Sequence, residues 1–165
     1  MVFRLLVDHV YLAPEHLGEP YYIGRVMEFS ADGVEARIAW FIRYKDVQNL
    51  AHYDPAHLLA TLNSEMNPVS SIQAKCKVVH KYYIPKDQFD SFRRCQDHFY
   101  YTQMYDRYMQ RLFDLVPCET ILNMPGDVLQ ALTSRYQFII VDQGKARDLI
   151  TPPRDCAVCQ EWCAR

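Results

Sequence analysis

The sequence predicts a mainly β domain, a twisted and partly closed antiparallel barrel, followed by a C-terminal helical extension. Three observations carry this prediction. Residues 21–30 and 34–43, YYIGRVMEFS and VEARIAWFIR, alternate apolar and polar residues on either side of the turn sequence SADG, which is the pattern of a β-hairpin. IQAKCKVVH at 72–80 adds a further strand. The clearest helix markers gather late, in PGDVLQALTSRY from Pro125 onward.

The elements follow in order. DHVYLA at 8–13 reads as a short strand, and PEHLGEP, with two Pro and one Gly, as a loop. In the strand 21–30, Tyr21, Ile23, Arg25, Met27 and Phe29 share one face; Tyr22, Gly24, Val26, Glu28 and Ser30 share the other. Gly24 inside a strand marks a bulge or the close approach of another backbone. In 34–43, Val34, Ala36, Ile38, Trp40 and Ile42 lie on one face, with Glu35, Arg37 and Arg43 opposite. Residues 44–71 are less regular: AHLLATL after Asp54-Pro55 is expected as a short helix or turn, and Asn67-Pro68 as a turn. PKDQFDSFRR is a polar connection with helical character. FYYTQMY (99–105) reads as extended with RLFDLV (111–116) as its partner, although Tyr101, Tyr105, Tyr108 and Leu112 also fit helical spacing. In the late helix Asn123 is the expected cap, Pro125 suits the first turn, and Asp127 complements the positive end of the dipole. Val128, Leu129, Leu132 and Tyr136 are its expected buried stripe, and QFIIVDQ (137–143) a buried strand.

Composition narrows the function classes. With 165 residues, 50% hydrophobic and a net charge of -2, the chain supports one core and lacks the basic stripe of a duplex-DNA binder. Lys75/Lys77 and Arg93-Arg94 are small clusters, so direct DNA binding is expected to be weak or absent. No apolar run reaches the roughly 18 residues of a membrane span, and MVFRLLVDHV is too short for a signal peptide. The six Cys are expected to be reduced thiols. GxSxG, HExxH, P-loop and GxGxxG patterns are absent, and His9, His16, His52, His57, His80 and His98 show no metal spacing, so the chain is not expected to be an enzyme.

Three pieces in fixed order resemble the BAH (bromo-adjacent homology) domain: Tyr22-Ile23-Gly24-Arg25-Val26, then Trp40-Phe41-Ile42-Arg43, then Ala74 to Val78 in AKCKV. The stretch FYYTQMYDRYMQRLFDLVPCETILNMP, followed by YQFIIVDQGKARDL and a Cys-x-x-Cys, is similar to large fungal chromatin regulators that place a BAH domain before PHD fingers and associate with histone deacetylase complexes. The resemblance implies a BAH core over 1–120, a helix–strand extension packed on it over 121–153, and the start of a truncated PHD (zinc) finger over 154–165. It also implies a nuclear protein.

By the same resemblance, Tyr22 and Trp40 stand where BAH cages place their first two aromatics. Methylated ammonium groups are held by π faces within about 6 Å, worth roughly 0.5–2 kcal/mol each. A carboxylate adds charge attraction and accepts any remaining N–H. The position two after Trp40, often aromatic in such cages, is Ile42, followed by Tyr44. Asp46 stands six after Trp40, where the origin-recognition BAH domain has an acidic residue. Tyr44, Tyr53 or Asp54 are candidates to complete the cage from the loop. The same residues also fit plain packing, since Trp40 shares a face with Val34, Ala36 and Ile38.

Cys156 and Cys159 have zinc-ligand spacing with Cys163 following, but one zinc needs four ligands. The remaining ligands are expected beyond Arg165, so no cofactor is expected within these residues. The function expected is a chromatin-binding module that recognises a histone tail, with a methylated lysine in the cage, and targets a deacetylase-type regulatory complex. The alternative is a protein–protein scaffold within such a complex that reads no methyl-lysine.

Overall fold

A sheet that closes on itself dominates the first of two compact units, which divide after Gln110. The computed structural model describes residues 8–47, 53–152, 154–155 and 162–163. The first unit holds β1 (His9–Leu12), β2 (Tyr22–Phe29), β3 (Glu35–Arg43), β4 (His57–Pro68), β5 (Ile72–His80) and β6 (His98–Asp106). Their order is β4-β3-β2-β1-β5-β6, and β4 pairs β6 as well, so hydrogen bonds run round a ring. The hairpin and β1 pairings are antiparallel as expected. The pairings of β6 with β5 and with β4 are parallel. The ring is thus mostly antiparallel, as the sequence suggested, and is closed by two parallel ladders.

β4 is the main correction. Apart from Ala56, which ends a turn, AHLLATL belongs to a 12-residue strand, which also takes in Asn67-Pro68. Leu58 and Leu59 are adjacent and both fully buried. A strand covered on both faces does not alternate, so its sequence cannot be told from a buried helix by period. FYYTQMY is β6, which settles its extended reading, and the polar connection contains α1 (Phe89–Arg94).

The two faces of the sheet carry separate apolar clusters. On one face Val10, Leu12, Val26, Ala36 and Ile38 pack together, with Trp40, Val69 and Ile72 against them. On the other lie Ile23, Leu58, Val78 and Phe99, with Tyr11, Phe41, Cys76 and Tyr101. Gly24 is required by the first: a Cβ there would overlap Ile38 Cγ2 and stand 3.2 Å from the Ala39 carbonyl oxygen. It marks close approach, while the irregularity of β2 falls one turn of the pleat later, between Val26 and Glu28.

The second unit contains β7 (Arg111–Pro117), α2 (Gly126–Thr133), β8 (Phe138–Asp142) and α3 (Ala146–Ile150). β7 and β8 pair antiparallel, Phe113 opposite Asp142. Pro125, not Asn123, is the N-cap of α2, and it supplies no side-chain bond. Asn123 instead donates its amide to the carbonyls of Asp148 and Thr151, both at 2.7 Å. Of the expected buried stripe, Val128 and Tyr136 are exposed, and β8 is only partly covered. Arg154–Asp155 and Trp162–Cys163 form a two-residue antiparallel ladder. Cys156 and Cys159, the expected metal ligands, lie outside the described residues.

Candidate ligand-binding cleft

Alternation along β2 and β3 brings Tyr22 and Trp40 to one face, and Gly24, which pairs with Trp40, leaves its place to the buried Ile38 side chain. The two rings meet edge to face, centroids 6.1 Å apart at 80°. Tyr22 is 40% exposed, and Trp40 is half-buried at the rim of the first apolar cluster. Opposite Trp40 the β3–β4 register slips: Ala39 pairs with Ser64 but Phe41 with Ala60. The extra residues of β4 bow outward, and Thr61 Oγ1 donates to the Trp40 carbonyl at 2.9 Å. Such a bulge re-aims side chains and opens space beside them.

That space is a cleft of about 400 Å³. Leu12, Trp40 and Ile42 supply its apolar surface, Tyr22 and Tyr105 two further aromatic rings, and Glu15 and Glu65 its carboxylates. Thr61, Asn63, Asn67, Ser71 and Arg107 make the rest of the rim polar. Glu65 pairs with Ile38 across β3 and β4, so it shares the face of Trp40. Tyr105 arrives through the parallel pairing of β6 with β4, opposite Thr61.

Residues 7–116 match the family model for the BAH domain. The chain belongs to the BAH family. Two curated relatives of this BAH chain are fungal. The Lid2 complex component snt2 of Schizosaccharomyces pombe is 31% identical over 95% of the chain. The E3 ubiquitin-protein ligase SNT2 of Saccharomyces cerevisiae is 25% identical over 94% of it. The chain spans 14% of the length of each. Among solved structures, the yeast Rsc2 BAH domain is similar over 84% of this chain and 57% of its own, at 12% identity and a TM-score of 0.49.

Within this BAH domain the other expected site residues are distributed as follows. Asp46 lies in a short turn after β3 and lines a second cleft of about 340 Å³, which it shares with Tyr21, Tyr22, Ile42, Arg43 and Lys45 but not with Trp40. Tyr44 stacks on His57, centroids 4.9 Å apart, and His57 stacks on Tyr100 at 4.7 Å. Tyr53 is 43% exposed and lines neither cleft. Asp54 accepts from the Tyr100 hydroxyl at 3.1 Å, from Arg93 at 3.2 Å and from the Ala56 amide at 2.9 Å. Tyr22 and Trp40 are thus together, Asp46 adjoins Tyr22 alone, and Tyr44 and Asp54 serve the aromatic column around Tyr100.

Sequence reasoning missed Glu15, Glu65 and Tyr105. One signal was present: Asn63, Glu65 and Asn67 recur with period two in a segment read as irregular. Three of the four basic residues first considered for DNA are engaged locally. Lys75 pairs with Asp8 at 2.7 Å, Arg93 with Asp54 and Asp90, and Lys77 lies over the Phe92 ring.

Proposed function

We propose that this BAH domain binds a histone tail and holds a methylated lysine between Tyr22 and Trp40, directing a chromatin-regulatory complex to its target in the nucleus. The observation that carries this reading is the edge-to-face aromatic pair opening on a cleft that also contains Tyr105, Glu15 and Glu65. A methylated ammonium keeps its charge while losing donors, so π faces and carboxylates suit it better than hydrogen-bonding residues do. The name of the fission-yeast relative, a Lid2 complex component, supports membership of a chromatin complex, and a deacetylase-type assembly is the kind we infer. The ligase name belongs to the whole budding-yeast relative; for these 165 residues the reading is binding, not catalysis.

A second reading has an observation of its own. The second unit exposes Leu122, Val128, Tyr136 and Ile140, more large apolar side chains than a small surface needs. Such a surface suits a protein scaffold. Titrating unmodified and methylated histone-tail peptides separates the two. Methyl-dependent affinity that falls at least tenfold in Tyr22→Ala supports the reader, and methyl-independent binding, or none, overturns it.

A further inference from the structure

Asn123 fastens the second unit near the end of α3. Its side-chain amide donates to the carbonyls of Asp148 and Thr151, while its own Oδ1 is buried and has no partner among the described residues. The Leu122 and Asn123 backbone amides both donate to the Leu149 carbonyl, at 2.9 and 3.2 Å. Two stretches well apart in sequence are thus clasped together. Thr151 caps α3 at this clasp, and its N–H donates to the Arg147 carbonyl at 3.0 Å. Its backbone is already extended, at φ -81 and ψ 129, as a following proline requires. Thr151 is half-buried, its hydroxyl makes no hydrogen bond among the described residues, and Pro152 beside it is exposed. Of the nine prolines, Pro152 alone follows a Ser or Thr, and Arg154 stands three residues after that hydroxyl.

We infer that Thr151 is a phosphorylation site for a proline-directed protein kinase, and that the phosphate opens the Asn123 clasp. Such a kinase takes a Ser or Thr in extended backbone whose successor has no N–H, and a cation three positions on strengthens its grip. Thr151-Pro152-Pro153-Arg154 meets each of these requirements. α3 is five residues long, too short to stay helical without its packing, so its last turn frays to enter an extended substrate groove. In the transfer, Thr151 Oγ1 bonds to the γ-phosphorus of Mg-ATP and the bond from that phosphorus to the β,γ-bridging oxygen breaks. ADP leaves, and the hydroxyl proton passes to the catalytic base of the kinase. The product carries a charge of about -1.5 to -2 at neutral pH. It stands at the negative end of α3, beside the carbonyls that Asn123 holds and three residues from the Asp148 carboxylate. Asn123 Oδ1 offers it no donor, so like charge and dipole push the segment off the clasp. Arg147, one turn back on α3, is the cation that opposes this release.

The test incubates the folded 165-residue chain with a cyclin-dependent kinase and Mg-ATP and maps phosphate by mass spectrometry. A single phosphate on Thr151 is expected, with none in Thr151→Ala, recovery in Thr151→Ser, and a rate at least fivefold lower in Arg154→Ala. Phosphate only elsewhere, or none, overturns the site, and mapping on the native chain decides this even where a variant fails to fold. In the phosphorylated chain, hydrogen exchange at the Leu122, Asn123 and Thr151 amides should speed at least tenfold, while amides of the β2–β3 hairpin keep their rates. Unchanged or slower exchange at those three overturns the release and assigns the phosphate to Arg147 instead. Asn123→Ala without phosphate should show the same faster exchange; native-like rates there overturn the clasp.

Discussion

Tyr22 presents its ring to Trp40 at 80° and 6.1 Å, yet the two residues stand on the sheet with different obligations. Trp40 packs against the cluster of Val10, Leu12, Val26, Ala36 and Ile38, whereas Tyr22 is 40% exposed and held by less. Their substitutions should therefore separate stability from binding. Tyr22→Ala is expected to cost about 1 kcal/mol or less of stability, and Trp40→Ala about 2 kcal/mol, since the indole is only half-buried. Both should lower methyl-lysine peptide affinity by tenfold or more. Urea midpoints and peptide titrations on the same preparations check this; a well-folded Tyr22→Ala that keeps full affinity removes the cleft from consideration.

Gly24 should be intolerant of the smallest side chain. Its Cβ would overlap Ile38 Cγ2 and crowd the Ala39 carbonyl, and Ile38 is fully buried with nowhere to retreat. Gly24→Ala is expected to destabilise by about 1–3 kcal/mol, the range of an overpacked core. Gly33, at φ +72 with open space around it, tests turn strain instead of crowding. Gly33→Ala should lose only about 1 kcal/mol. Thermal melts of the two variants distinguish the causes.

Glu65 and Asp46 make a second comparison. Glu65 shares the cleft with both aromatics, and Asp46 shares a cleft only with Tyr22. Glu65→Gln should weaken mono- and dimethyl-lysine peptides severalfold and trimethyl-lysine less, because only the lower states retain an N–H for a carboxylate. Asp46→Asn should act mainly through salt-screened attraction, shifting affinity twofold or less. Titrations at two ionic strengths read both effects; a larger loss in Asp46→Asn would move the binding centre to the second cleft.

His9 links stability to pH. Burial, and next the Arg25 guanidinium, lower its pKa to about 4, against a smaller opposing pull from Asp8. A histidine whose folded value lies below its unfolded 6.5 binds its proton less readily when folded. Its contribution is thus complete above pH 6.5 and is lost as pH falls from there through 4. His57, lowered chiefly by burial between Tyr44 and Tyr100, adds in the same direction. Unfolding free energy should drop by roughly 2 kcal/mol between pH 7 and 4.5 for the native chain. In His9→Gln the slope should be visibly shallower; an unchanged slope would assign the effect elsewhere.

The hairpin and its aromatic pair were legible because Tyr22–Arg43 obeys strict alternation around a strong turn. β4 was not, because Leu58 and Leu59 are buried on both faces, and burial erases the period that identifies a strand. The partners of the cleft were hidden for a related reason. Tyr105 reaches it through a parallel pairing 44 residues away from Thr61, and no local pattern encodes such a neighbour. Asn123 misled because a good capping residue can spend its amide on distant carbonyls. The exposure of Val128 and Tyr136 shows that a helical stripe specifies a side to cover without saying what covers it.

Ring closure also sets an order of events on the chain as it is made. β4 and β5 are complete by His80, but each awaits a parallel partner that begins only at His98. A nascent or truncated chain lacking β6 would carry two unsatisfied strand borders, one on either side of the gap, with the fully buried Leu58 and Leu59 laid bare between them. Closing that gap across long sequence separation makes folding slow for a domain of this size and ties it to one late strand. Shortening the chain before Asp106 should therefore convert a closed ring into a self-associating sheet. Tyr100, wedged against His57 and bonded to Asp54, is where the two borders are finally locked together.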